Sequence, residues 1–408
     1  MTSVAVRHAG VSPLGPAWHE VRRLHGASSC GPWSRVVRHG DPRSTLSQTG
    51  HGHRPSGTSP LFRTTYGQGA VGHGGNRAKR GTSGVVPMTQ SGNAAAAGTP
   101  RGWQEQAPLE IKRGTHDQAT VDGRILVCGG FNPNPLEILG SVEARRVQPN
   151  GTWRPLASMT PRANVAAAEL DGVAYVAGGF VIDQNGDDVE VDVVEQFDPR
   201  VGSWRPSPKM PDRRAAASAA GLGGLLYVAG GFIAGAPTDL VIAYDPRDRT
   251  WTEVAPMPTA RTRLRLIATG GHLFAIGGQD KRLDNLATVE RYEPRTNTWT
   301  GVASMNEPRG VPGAVAISHG NNRLIVVVGG AQAVNGEVTG FLDTTEVYDP
   351  DTDRWHTLRA RLPVPKAGLI CAAEIDGTVL AIGGGVLTDD GLAATREVYA
   401  LKVTGQDA

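Results

Sequence analysis

The chain has 408 residues, 20% of them charged, and a formal net charge of +2 that hides an asymmetry. Residues 1–100 hold eleven Lys/Arg against two Asp/Glu, whereas the remainder holds thirty against thirty-seven, so nucleic-acid binding by that acidic remainder is disfavoured. Three cysteines (Cys30, Cys128, Cys371) make no disulfide framework and fit a reducing, cytoplasmic setting, and no apolar run approaches the ~18 residues of a membrane span.

Residues 1–100 are rich in Gly, Ser, Pro, Arg and His and show neither a period of 2 nor one of 3.6. Their apolar content is too low to offset the entropy of ordering, so the segment reads as a disordered basic tail. Arg22-Arg23 lacks the apolar stretch that an export signal requires. Met88 offers an alternative start, which would place residues 1–87 upstream of the protein.

From residue 101 onward one phrase recurs, a few apolar residues and then two glycines. Its copies end at Gly129-Gly130, Gly178-Gly179, Gly230-Gly231, Gly277-Gly278, Gly329-Gly330 and Gly383-Gly384. First glycines lie 47 to 54 residues apart, a spacing that marks repeating units. The second unit shows the parts most clearly. Residues 163–170 are a small apolar run suited to a buried strand. Asp171-Gly172 tolerate the positive φ of a type I′ hairpin turn. Residues 173–177 make a second strand, and the glycines ending it permit a bulge or a close backbone approach. Residues 193–197 are a third strand, Asp198-Pro199 opens a turn, and Trp204 begins a fourth. Four antiparallel strands make one unit.

The other units keep this grammar. The third-strand aromatic recurs as Tyr244, Tyr292, Tyr348 and Tyr399, and the fourth-strand tryptophan as Trp153, Trp251, Trp299 and Trp355. Gly-Gly, then Glu-x-Tyr/Phe-Asp-Pro, then Trp six residues after that Asp resembles the kelch repeat. The resemblance covers residues 103–402 and implies an all-β, six-bladed kelch-type β-propeller with four antiparallel strands per blade. Three departures stand out: Arg145-Arg146-Val147 in unit one, Ile242-Ala243 in unit three, and no tryptophan after Ala400-Leu401. The last predicts that residues 103–109, which read as an orphan fourth strand, complete blade six and close the ring.

Arg113, Arg162, Arg214 and Arg261 each stand sixteen residues before their first glycine, with Arg309 twenty and Lys366 seventeen before. In propellers of this type those positions open the channel-lining strands, so six cations gather at one mouth. Two readings follow from that placement. Each cation ties adjacent loops through backbone carbonyls, or the six accept a carboxylate, phosphate or acidic peptide. Arg263 and Arg265 add charge in blade four. Phe131, Phe180 and Phe232 follow the glycines of the first three units, where the others have Gln279, Ala331 and Gly385. Such residues either form a recognition surface or pack beneath their own loops.

No His pair has metal-ligand spacing, and the 183–188 stretch lacks the downstream Glu of a calcium loop. A copper site like that of galactose oxidase, in the same superfamily, would need tyrosines that the repeat already uses. A sialic-acid mutarotase of kelch type would need a Glu and an Arg converging in the channel. Glu169 and Glu374 are the candidates, each beside a hairpin turn. The expectation is a non-catalytic, monomeric binding module without cofactor or metal. Its partner would be a protein or an acidic peptide or small anionic ligand, held at the mouth by the six cations, Arg263, the three phenylalanines and Gln279.

Overall fold

Short apolar runs bounded by Asp-Gly, Gly-Gly and Asp-Pro can satisfy their backbone groups only by pairing with neighbours. The computed structural model describes residues 102–403 apart from 134, 135, 320, 321 and 390. Those runs form six four-stranded antiparallel sheets. The expected tail and the Met88 start lie outside the described residues. Blade two is a simple meander, Ala166–Leu170, Val173–Ala177, Val194–Asp198 and Ser203–Ser207, ordered from the axis outward. Blade six is not contiguous. Ile370–Ala373, Thr378–Ile382 and Val398–Lys402 are completed by Gln104–Gln106, with Gln104 opposite Ala400 and Gln106 opposite Val398. The chain is an all-β, six-bladed propeller closed by an N-terminal strand.

Blades adhere through apolar seams, each built from two neighbours. Leu126 and Cys128 of blade one meet Ala167 and Val176 of blade two. The seam that closes the ring joins Ile125, Val127 and Trp153 to Ile370, Leu380 and Ile382. Burying a leucine, isoleucine or valine of these seams contributes roughly 1.5–3 kcal/mol. The repeated tryptophans add a polar tie to the preceding blade. Trp204 Nε1 donates to the Ala157 carbonyl at 2.8 Å, and Trp153 Nε1 to that of Ala107, beside the closing strand, at 3.1 Å.

The glycine pairs are where blades interlock. A Cβ on Gly178 would lie 2.3 Å from the Arg214 carbonyl oxygen of the next blade, and one on Gly179 would lie 2.7 Å from that of Ala163. The Gly179 amide uses this closeness to donate to Arg214 at 2.9 Å. In all six blades the second-glycine amide donates to the carbonyl of the next blade's Arg or Lys, Gly384 closing the series on Arg113. Of the two readings of the glycines, close backbone approach is the one realised.

Inside that lattice lies a smaller hoop. Thr115, Asn164, Ala216, Arg263, Val311 and Gly368 all have left-handed backbone, with φ between +47° and +63°. Each amide donates to the hoop residue of the preceding blade at 2.8–3.1 Å, and Thr115 donates to Gly368 to complete the circle. Six backbone hydrogen bonds therefore ring the channel where the first strands begin.

The residue after five of the hoop positions packs between blades, as Val165, Ala217, Leu264, Leu369 and, in blade one, His116. The His116 ring is 2% exposed, against Gly383 of blade six. Burial, then the charges of Arg113, Arg265 and Lys366, hold it well below its ordinary 6.5, so it is neutral in the folded protein. An unfolded chain takes up that proton below about pH 6.5 and the folded one does not. Stability present above that pH is therefore lost as pH falls, by up to about 1.4 kcal/mol per unit from this group. His116→Leu should flatten the loss of melting temperature between pH 6.5 and 5 while leaving pH 7.5 stability intact. An unchanged slope would show that other groups carry it.

Candidate functional site

The six cations do stand together at one end of the channel, but none is offered to a ligand. Arg113, Arg162, Arg214, Arg261 and Arg309 are 0% exposed and Lys366 is 1% exposed. Each reaches the carbonyl of its own first glycine, as Arg162 Nη1 does with Gly178 at 2.7 Å. Each arginine also holds a carbonyl after the crown loop, Val193 at 2.9 Å in blade two. A carboxylate completes every set. Arg113 pairs with Glu143 at 2.8 Å, Arg162 with Glu195 at 2.6 Å and Arg261 with Glu290 at 2.8 Å. Arg309 pairs with Glu346, and Lys366 with Glu397 at 3.0 Å.

Blade three explains its own departure from the pattern. Ile242 stands where the others have Glu, and Arg214 turns instead to Asp212, two residues earlier, at 2.6 Å. A buried guanidinium must be paired, and the sequence moves the partner to keep it so. The reading of these residues as an anion-accepting pocket therefore gives way to bracing, because their charge is spent inside the protein. Reversing Arg162 or Arg261 to Glu would set like charges against Glu195 or Glu290 and unfold the blade rather than test binding.

The residues after the glycines divide by blade. Phe131 and Phe180 are buried, in one apolar cluster with Ala163 and Ala215. They pack beneath their loops, so the exposed aromatic half-mouth is not formed. Phe232 is only partly covered, and the Arg263 guanidinium lies 5.3 Å from its ring centre. Arg263 also donates to Gln279. Gln279 in turn donates to the Leu283 carbonyl and to Asn285, each at 3.1 Å. Arg263, Phe232 and Gln279 are thus the sequence-predicted residues that the fold brings into one contact group.

A pair not foreseen as a pair occupies the channel. Arg265 of blade four reaches Asp117 of blade one at 3.1 Å, and donates to Pro312 at 2.7 Å and Leu369 at 3.0 Å. Residues of blades one, four, five and six can meet only at the axis, so this side chain crosses the channel. Asp117 also accepts the Gln118 and Ala167 amides at 2.9 Å. Burial raises the Asp117 carboxyl from its ordinary value against the pull of Arg265. The glutamates expected for sugar chemistry sit elsewhere. Glu169 accepts the Gly172 amide in its own turn, and Glu374 is buried against Arg145 of blade one at 2.5 Å.

The remaining redox and metal candidates have structural roles. Cys128 and Cys371 are buried and their thiols are pushed up to about 12 by burial, which makes them inert at neutral pH. Tyr244, Tyr292 and Tyr348 are committed to seams, ring to ring with their blade's tryptophan at 4.9–5.0 Å. Asp183 caps its own turn by accepting the Asn185 and Asp187 amides.

Above the hoop stands a crown of hairpins, each joining a second to a third strand. They include Phe131–Pro133 with Leu136–Ile138, Phe180–Ile182 with Asp188–Glu190, and Gly385–Thr388 with Gly391–Ala394. Neighbouring hairpins are tied to one another by hydrogen bonds. Glu190 accepts the Gly235 amide at 3.0 Å, Asp284 accepts that of Asn335 at 2.6 Å, and Asn285 donates to Ala331. Such ties place the exposed side chains on a fixed frame.

A family model, the KLHDC2/KLHL20/DRC7 Kelch-repeats domain, matches residues 164–385, more than half of the chain. Beta-scruin of Limulus polyphemus is 31% identical over 132 residues, 32% of this chain and 14% of that protein. Kelch-like protein 33 of Homo sapiens is 32% identical over 120 residues, 28% of this chain and 21% of that protein. Both matches therefore span a small part of much longer relatives. The solved structure of YjhT shares the fold, with a TM-score of 0.62 at 17% identity, covering 74% of this chain and 98% of that one. Six interlocked glycine pairs, their braced cations and the family match lead to one conclusion: the chain belongs to the kelch-repeat family.

Proposed function

We propose that the propeller is a non-catalytic module that binds a protein or peptide on its crown. One observation carries the reading: the six bracing cations of the mouth are internally paired, while the crown hairpins hold varied, exposed side chains on a cross-tied frame. Preorganised loops cost little to order on binding. Membership of the kelch-repeat family supports it. The test compares affinity capture by the intact chain and by a variant in which residues 183–188 of blade two and 387–392 of blade six are each replaced by a Gly-Ser hairpin. Partners should be lost from the variant while its melting temperature holds. Identical capture by both proteins would sink the crown as the binding face.

Asp117 with Arg265 is the observation that favours a second reading, a sugar-anomer mutarotase acting in the channel. Three donors already hold the carboxylate in place, two on Oδ1 and one on Oδ2, and the guanidinium is held by three blades. A general base needs a lone pair within reach of the substrate proton. Exchange NMR on N-acetylneuraminate should find the anomers interconverting at the uncatalysed rate, and acceleration lost in Asp117→Asn would establish the enzyme instead.

A further inference from the structure

In blades one to three a phenylalanine covers the small residue that follows the bracing arginine. Phe131 bridges to Gly114, Phe180 to Ala163 and Phe232 to Ala215. Blade six has no phenylalanine there: Gly385 bridges to Ala367, and Leu392 of the same hairpin lies against that glycine instead. The omission leaves a small cleft on the crown between the hairpins of blades six and one. Phe131, Pro133, Leu392 and Ala394 wall it, over a floor that includes Gly114 and Gly385. Thr115 also lines it, 6% exposed, with a hydroxyl that has no hydrogen-bond partner. A buried hydroxyl left unpaired costs free energy that an incoming backbone or side-chain group would recover.

The surroundings specify the sign of the partner. The six crown segments (131–139, 180–193, 232–240, 279–288, 331–344 and 385–397) hold fourteen Asp/Glu against three Lys/Arg. Lys366, Lys209 and Arg361 take up Glu397, Asp192 and Asp343. By that count the crown is net acidic, and Glu137 and Asp389 are exposed on the two hairpins beside the cleft. The six bracing cations beneath already carry carboxylate partners and do not offset this field. We propose that the cleft seats one small apolar side chain of a basic peptide segment, whose Lys or Arg neighbours lie on the acidic crown. Apolar burial anchors the segment, and charge sets its partner choice and on-rate. This rests on the crown reading and narrows it to one class of partner.

The experiment selects a random dodecapeptide library on phage against the full chain and measures labelled winners by fluorescence anisotropy. Winners should carry Lys or Arg around an Ala, Val or Pro, and should weaken as salt rises. Gly114→Leu fills the cleft and should weaken them at least tenfold, and Glu137→Lys with Asp389→Lys severalfold. Gly114→Ala keeps the test open if the leucine variant misfolds. Its Cβ would meet nothing nearer than 3.9 Å, so the fold should hold while affinity for valine-anchored winners falls. Acidic winners would overturn the proposal. So would basic winners indifferent to Gly114 substitution but lost with the 183–188 replacement alone, a result that leaves the crown reading standing. No enrichment above a blank surface would remove both.

Discussion

A chain from which residues up to Gln106 have been removed should lose its single cooperative melt and associate in solution. Gln104–Gln106 is the outer strand of blade six, and without it Val398–Lys402 becomes an unpaired edge. Trp103 goes with it, and that ring is 7% exposed within the seam between blades five and six, among Leu358, Leu362 and Tyr399. Trp103→Ala alone should cost roughly 3–5 kcal/mol, as truncating a buried tryptophan does. Denaturant melts of the point variant, and size-exclusion profiles of the truncated chain with and without a synthetic 99–112 peptide, check both parts. A truncated chain as heat-stable and monodisperse as the parent would refute closure by this strand.

The second large effect is expected at the other flank of blade six. Arg145 stands where the other third strands carry Phe197, Tyr244, Tyr292, Tyr348 and Tyr399. Its buried guanidinium meets Glu374, 229 residues away, at 2.5 Å. Burial pulls the arginine below its ordinary range and raises the carboxyl above its own, the strain of keeping both dry. Glu374→Ala leaves an uncompensated buried charge and should destabilise by roughly 3–5 kcal/mol. The double change Arg145→Tyr with Glu374→Ala restores the aromatic of the other blades and should recover most of that loss. A double-mutant cycle read by urea melts decides it, since additive single effects would mean that the two side chains stand independently.

These two cases mark where the sequence was readable. Closure by residues 103–109 was legible because a missing tryptophan at one end and a spare one at the other are both repeat signals. The role of Arg145 was not, since a departure from the repeat says that the position differs and nothing about its partner. The bracing arginines fall between. Spacing located all six correctly, but spacing places a guanidinium without saying whether it faces water or a glutamate. In the sequence, Glu195 and its equivalents stand out only as the first residue of the Glu-x-Tyr/Phe motif. Asp117 and Arg265 escaped for a further reason. Their register position holds Asp117, Ala166, Ser218, Arg265, Gly313 and Ile370 in successive blades, so no periodicity flags it. The pair exists only because a six-membered ring sets blade one opposite blade four.

The hoop of six left-handed residues bears on how such a mouth can change. Its bonds run head to tail around a circle, so their dipoles are tangential and cancel, and the frame imposes no sign of charge on whatever lies above it. Nor does it use side chains, which is why Thr115, Asn164, Ala216, Arg263, Val311 and Gly368 can share one geometry. Widening the circle at one blade breaks two bonds at once, one to each neighbour, which opposes any iris-like opening. Diameter is thus fixed by backbone and chemistry by substitution. The chemistry of this rim can be rewritten residue by residue while its dimensions stay constant.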